Sequence, residues 1–307
     1  MDVLTGVDSL PIEAESTAVT VGFFDGVHRG HQAVLGRTVD VAADRGLTSV
    51  AITFDRHPRE ILTPGREPQL LTTPETKTRL IAGLGIDVLA ILEFTEQFSR
   101  WPPEEFVRRV MLDGLHIRHA VVGSNFTFGH RAAGTLAALA DLGAARGFSV
   151  EGVALLEIGG RPVSSSSIRQ ALADGDLGWP REALGRRYTV EGTVVPGAGR
   201  GAGLGFPTAN LEVWPRILLP GEGVYAAKAD LDGEAHVAAV NVGTNPTFGG
   251  EPLHVEAHLL DFDGDIMGRR MAVEFWERLR DEVRFDLPED LARQIKYDVE
   301  RTRALVA

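Results

Sequence analysis

The chain contains no cysteine, which excludes disulfides, thiolate metal ligands and cysteine nucleophiles together. Any metal would have to bind through oxygen or imidazole. No apolar run approaches the roughly 18 residues that a membrane-spanning helix needs. The opening stretch MDVLTGVDSLPIEAEST lacks the basic flank and apolar core of an export signal, so a cytoplasmic protein with no membrane partner is expected. Basic residues are also scarce: 31 Lys and Arg stand against 43 Asp and Glu, a net charge of -12. That balance repels polyanions and argues against nucleic-acid binding, but it leaves room for one compact phosphate pocket built from local donors. What the chain does have is 307 residues, 44% of them hydrophobic, enough for a large core and two domains. Whether it forms a homo-oligomer is left open.

From residue 17 to about 160 the pattern alternates. The runs AVTVGFF, LTSVAITF, DVLAILEF, HAVVGS and SVEGVALLEI read as strands, several apolar on successive residues as in a sheet covered on both faces. The segments 30–45, 74–84, 103–113 and 134–146 read as helices, with Pro74 and Pro102-Pro103 marking two starts. This βαβ alternation predicts a parallel, Rossmann-like α/β domain over residues 1–185. Near residue 186 the pattern changes to YTVEGTVV, GVYAAKADL, AHVAAVNVG, LHVEAHLLDF and MAVEFWERL, with Asp232-Gly233 and Asp263-Gly264 placed as hairpin turns. A mostly antiparallel sheet or barrel is therefore expected over 186–307. It would be closed by an amphipathic helix from Pro288 that carries Leu291, Ile295, Val299 and Thr302 on one face.

The first strand-to-helix loop reads DGVHRGH, residues 25–31. Loops at the carboxyl ends of parallel strands are where such folds bind ligands, and a helix N-terminus there offers free N–H groups to an anion. Gly26 and Gly30 would allow close backbone approach, and His28 with His31 would add imidazole donors suited to a polyphosphate. The alternatives are a helix-capping histidine beside a surface one, or zinc ligation, for which no third ligand has an evident spacing. Further along, SSSSIR begins a helix, so Ser164, Ser165 and Ser166 offer hydroxyl and backbone donors and Arg169 a charge one turn in; Arg161 lies just upstream. GSNFTFGHRAAG follows a strand and brings Asn125, Phe126 and Phe128 together, either as a flat aromatic wall or as core. His57-Pro58 closes another strand end.

A second constellation is GAGRGAGLGFPTANL, residues 197–211. Its glycines, among them Gly201, Gly203 and Gly205, could wrap phosphates, yet no GKS or GKT follows, so it is not a P-loop. A lid role for residues 197–205 is a further expectation. After Pro207, the Thr208 hydroxyl and Asn210 amide sit two apart on a strand, on one face. They suit Mg²⁺, which prefers oxygen and keeps phosphates and waters in its shell. Glu256 lies on an alternating strand, where a glutamate is ordinarily a solvent-facing residue.

GFFDGVHRGH, with TFDRHP, VVGSNFTFGHRAAGT and SSSSIR, resembles the FMN adenylyltransferase module of bacterial bifunctional riboflavin kinase/FAD synthetases. FPTAN, with GVYAA, NVGTNPTFGG, VEAHLLDFDGDIMG and RLRDEVRF, resembles their kinase module. Together the two resemblances cover nearly the whole chain in the family's order. They imply FMN formation from riboflavin and ATP in the C-terminal barrel, and FAD formation from FMN and ATP in the N-terminal module, both with Mg²⁺. They also imply that His28, His31, the Ser164–Ser166 run and Arg169 hold the triphosphate, that the Asn125–Phe128 loop lies by the flavin, and that Glu256 is the catalytic glutamate. Three positions depart from the pattern: Asn125 stands where many members have Asp, Thr127 where they have Arg, and Met267 where tyrosine is common. Alternatives are a kinase whose first module is inactive or uses another acceptor such as a pantetheine phosphate, a non-catalytic flavin or nucleotide sensor, and a nucleic-acid-binding barrel.

Overall fold

The computed structural model describes residues 1–10, 12–197, 200–203, 205–244 and 253–306. The chain divides into two compact units, Met1–Ser164 and Ser165–Ala307. In the first, the elements are β1 (Asp2–Thr5), β2 (Thr17–Val21), α1 (Arg29–Arg45), β3 (Thr48–Phe54), α2 (Pro58–Leu62), α3 (Pro74–Ala82), β4 (Val88–Leu92), α4 (Glu96–Ser99), α5 (Pro103–Phe106), β5 (Ile117–Gly123), β6 (Thr127–Phe128), β7 (Gly134–Thr135), α6 (Leu136–Arg146), β8 (Ser149–Val153), β9 (Glu157–Ile158) and β10 (Arg161–Pro162). A wider helical turn, Val107–Leu112, continues α5.

Six of these strands form one parallel sheet in the order β1-β4-β3-β2-β5-β8. Alternate residues of each strand feed opposite faces. Val19, Val50, Ile52 and Val122 pack with Phe106, Val110 and Leu139 on one side. Ala51 and Leu89 pack with Leu35 and Ile81 on the other, joined there by Ala18, Val121, Val34 and Val41. Both faces are covered, as the unbroken apolar runs required. The chain leaves β2 toward β3 and returns beside it as β5, so the strand order reverses between β2 and β5. The loops after these two strands meet the crevice where doubly wound folds bind ligands.

Two expectations for this unit are corrected. The sheet begins before residue 17: β1 pairs in parallel with β4, a four-residue edge strand whose exposed residues carry no periodicity to read. SVEGVALLEI is not one strand either, because β8 stops at Val153 and β9 pairs only with β10.

The second unit holds α7 (Ser165–Ala173), α8 (Gly178–Leu184), β11 (Thr189–Val195), α9 (Arg200–Gly203), β12 (Ala209–Val213), β13 (Gly223–Leu231), β14 (Glu234–Gly243), β15 (His254–Leu259), β16 (Arg270–Arg280) and α10 (Pro288–Val306). The strands close into an antiparallel barrel, β11-β12-β15-β14-β13-β16. Its interior is filled by residues such as Val190, Leu211, Ala227, Val240 and Val255, with Tyr225 edge-on to Phe275 at 5.4 Å. The Asp232-Gly233 turn joins β13 to β14 with φ of 54° and 94°, the positive pair a tight hairpin requires. Asp263-Gly264 makes no hairpin. β15 pairs with β12 and β14 while β16 pairs with β11 and β13, so residues 260–269 connect strands that are not neighbours. The α10 helix lies on the outer barrel face, where Val306 packs with Val224, Ala226 and Leu279, and its buried Asp298 meets Arg280 at 2.8 Å.

Leu35 is 0% exposed between α1 and the sheet. Leu35→Ala is expected to lower the unfolding free energy by about 2–5 kcal/mol, read from urea denaturation, because the cavity it leaves is walled by strands that cannot collapse. A loss below ~1 kcal/mol would mean that α1 does not pack as described.

Candidate functional site

After β2 the chain makes a tight turn before α1, and its backbone is unusual. Phe24 (φ 55°), Gly26 (φ 78°) and Val27 (φ 41°) all lie in the left-handed region, which costs about 1–3 kcal/mol at each non-glycine residue. Buried groups compensate. Asp25, 3% exposed, accepts N–H bonds from Leu71 (2.8 Å) and Thr72 (3.3 Å). The Gly26 N–H donates to Thr72 Oγ1 at 3.2 Å. The Phe24 ring folds back so closely on Gly22 that a Cβ there would stand 2.7 Å from it.

This turn delivers His28 as the N-cap of α1. Its Nδ1 accepts the His31 N–H at 3.2 Å, so a neutral ring carries its proton on Nε2. The two imidazoles stack with centroids 3.6 Å apart and planes at 18°. Burial, then the His28 ring and the Lys77 ammonium, hold His31 well below the usual imidazole range, and its Nδ1 is a buried atom without a hydrogen-bond partner. Neutral stacked rings at a helix N-terminus can donate to an anion without repelling each other. Gly30 completes the approach: a Cβ would meet the His28 ring at 3.2 Å and the Val163 carbonyl at 3.7 Å. Ser164 follows directly, ending the first unit, whereas Ser165, Ser166 and Arg169 belong to α7. Arg161 lies in the short hairpin β9-β10. His57 caps α2, accepting from the Arg59 N–H, and stands edge-on to Phe23.

Beside the turn, at the ends of β2 and β5, opens a cavity of about 620 Å³, within the usual span for small-molecule sites. Gly22, Phe23, Phe54, Phe98, Trp101, Asn125, Phe126 and Phe128 line it. Phe126 and Phe128 stack at 5.3 Å and 12° and also pack against the sheet core, so the wall and core roles of this pair coincide. Phe128 rests on Gly134, where a Cβ would stand 2.5 Å from the ring.

In the second unit the polar constellation lies on the outer barrel face. Glu256 is the register partner of both Asn210 and Asn241, which puts the three side chains on one face of β12, β15 and β14. His254 Nε2 lies 3.4 Å from Glu256 Oε1. A cavity of about 250 Å³ is lined by Gly201, Phe206, Thr208, Asn241, Glu256, His258, Arg280 and Glu282. His258 Nδ1 contacts the Pro207 carbonyl at 2.8 Å, fixing the approach to Thr208. A Cβ on Gly197 would collide with the Asn210 amide, and one on Gly201 with the Phe206 carbonyl. Gly205 has φ 85°, whereas Gly203 shows no such constraint. The lid expected over 197–205 falls partly on residues 198, 199 and 204, and NVGTNPTFGG, beyond its first four residues, on residues 245–250, outside the described chain.

Residues 10–167 match the family model for FAD synthetase and residues 184–306 that for riboflavin kinase. The chain is 38% identical to a bifunctional riboflavin kinase/FMN adenylyltransferase of Pseudomonas fluorescens, over 100% of this chain and 98% of that one. The chain belongs to this bifunctional family. A relative of the same description from Listeria monocytogenes is 37% identical over 94% of this chain and 92% of its own. A solved structure described as a macrolide-efflux protein from Streptococcus pneumoniae superposes with a TM-score of 0.91 at 30% identity, over 99% of both chains. Among the described residues no helix is long and apolar enough to cross a membrane, and no group of three or more His, Asp or Glu is placed to hold a metal.

Sequence reasoning passed over Asp25, Lys77 and Asn241. Asp25 and Asn241 stood inside quoted motifs, and a pairing register would have singled out Asn241; Lys77 had no signal at all.

His31 is expected to stay neutral at pH 6.5, where an ordinary imidazole is about half protonated, as read by imidazole proton NMR across a pH titration. Because its folded-state affinity for protons is depressed, the fold loses stability as pH drops below that of a free imidazole. A midpoint near 6.5 would contradict the stacked, buried geometry.

Proposed function

We propose that this chain makes both flavin cofactors in sequence. In the barrel unit riboflavin and ATP give FMN and ADP; in the N-terminal unit FMN and a second ATP give FAD and pyrophosphate. The full-length likeness to the bifunctional relatives supports this most strongly, because it spans both sites in one chain. We take the boundary between the two modules at 185/186, near the start of the riboflavin kinase match at residue 184.

For the first reaction, Glu256 accepts the proton of the riboflavin hydroxyl as its oxygen attacks the γ-phosphorus and ADP leaves. Thr208 and Asn210 offer a hydroxyl and an amide oxygen, a donor set that fits Mg²⁺ with phosphate oxygens completing its shell. A Mg²⁺ ion held there would neutralise charge on the phosphate groups. Gly201, Gly203, Gly205 and Pro207 shape the nucleotide's approach.

In the second reaction an FMN phosphate oxygen attacks the α-phosphorus of ATP, and the bond to the β-phosphate breaks. The attacking phosphate is already anionic, so no general base is needed. His28 and His31 stabilise charge on the departing pyrophosphate, with the α1 N-terminus and Gly26 and Gly30 allowing close approach. Arg161, Ser164, Ser165, Ser166 and Arg169 are assigned to the triphosphate on their sequence pattern alone. Asn125, Phe126 and Phe128 take the flavin in the aromatic cavity, where stacking serves a flat ring system. A cytoplasmic location, where ATP is abundant, goes with this reading.

Reciprocal variants test it. His28→Ala is expected to lower FAD formation by ~10²-fold or more and to leave FMN formation nearly intact. Glu256→Gln is expected to do the reverse, cutting FMN formation by ~10²–10⁴-fold. Loss of both activities in either folded variant would contradict separate sites.

A further inference from the structure

Lys77 in α3 is a buried cation with no part in the steps above. It is 7% exposed, and its ammonium donates to three neutral oxygens: the Phe23 carbonyl at 3.2 Å, Thr53 Oγ1 at 3.1 Å and the Phe54 carbonyl at 3.4 Å. The Phe23 ring lies beneath it, centroid 4.4 Å away. Thr53 in turn donates to the Phe23 carbonyl at 3.1 Å. One side chain thus joins the carboxyl ends of β2 and β3 at the residue where the backbone enters the left-handed turn.

The same stretch of chain grips that turn a second time. Leu71 and Thr72, which bind Asp25 and Gly26, lie just before α3, so residues 71–77 clamp the turn at three places. A buried ammonium bears a heavy desolvation cost, and apolar side chains would fill the space more cheaply. Its position explains what the charge is for. It lies near enough to the histidine pair to depress His31, and α3 packs on the same face of the sheet as α1, with Ile81 and Leu35 in one cluster.

We propose that Lys77 is a positioning residue for adenylyl transfer: its buried ammonium holds the Gly22–His28 turn in the shape that presents His28 and His31, and supplies fixed positive charge near them for the ATP triphosphate. This rests on the assignment of FAD formation to the N-terminal unit. Burial pulls Lys77 down to about 8, against the opposing pull of Asp25 and Asp55, and His28 and His31 are the titratable rings of α1 beside the turn. Below pH 8 the charge is in place; above it the free enzyme loses the charge that favours ATP.

The test compares the full-length chain with K77M, K77R and T53V, assaying FMN-to-FAD and riboflavin-to-FMN conversion on the same preparations. K77M is expected to lower kcat/KM for ATP in FAD formation by on the order of 10²-fold, the cost of a misplaced catalytic loop. FMN formation, carried by the other unit, stays unchanged and reports a folded chain. The alkaline fall near pH 8 in wild-type kcat/KM disappears in K77M, and the His31 NMR titration moves up from its wild-type position, while burial and the His28 ring still hold it below that of an ordinary imidazole. K77R, which keeps the charge, recovers part of the activity, and T53V, which removes one acceptor, gives a several-fold loss.

Wild-type kcat/KM in K77M would overturn the proposal. So would a loss in which the pH profile and the His31 titration both stay as in wild type, since that is mere structural damage. If the wild-type chain makes no FAD, the functional reading fails instead. The His31 titration, which needs no turnover, then still decides whether the Lys77 charge acts on the histidine pair.

Discussion

The N-terminal site depends on a turn that the chain would not adopt by itself. Two non-glycine residues, Phe24 and Val27, hold positive φ between β2 and α1. That shape persists because Asp25 is buried against the Leu71 and Thr72 amides and Lys77 bonds the Phe23 carbonyl. The strained turn brings His28 to the cap position, where it stacks on His31. A relaxed loop of the same composition would leave two flexible imidazoles in solvent. Preorganised donors do more for a charged transition state than mobile ones, because they need not reorganise when charge develops.

The barrel unit solves a different problem. Closing six antiparallel strands removes every sheet edge and commits alternate residues to a packed interior. The polar residues on the outer face are then free for chemistry, and register alone aligns Asn210, Glu256 and Asn241. The α10 helix covers part of this face, tied down by the ion pair of Asp298, 2% exposed, with Arg280. Both residues also line the cavity with Glu256, so the contact that docks the helix also shapes the site.

What could be read from sequence was what depends on local pattern. The βαβ alternation, the proline helix starts, the Asp232-Gly233 hairpin and the terminal amphipathic helix follow from short-range periodicity and turn chemistry. The His-x-Gly-His loop was legible because its glycines and histidines fall where a strand gives way to a helix. Features set by partners distant in the chain were not. β1 is too short and exposed to show a period, and Asp263-Gly264 looked like a hairpin because sequence does not say which strands are neighbours. Lys77 read as one more charged residue on a helix, since only the fold brings Phe23, Thr53 and Phe54 to it.

The most direct test of the central claim is product analysis of the purified wild-type chain. It would be incubated with ATP and Mg²⁺ and either riboflavin or FMN, and the flavins separated by chromatography. FMN and then FAD from riboflavin, with FAD alone from FMN, is the result predicted. Accumulation of FMN in the first reaction, with no FAD from the second, would contradict the adenylyl-transfer role given to the His28–His31 turn.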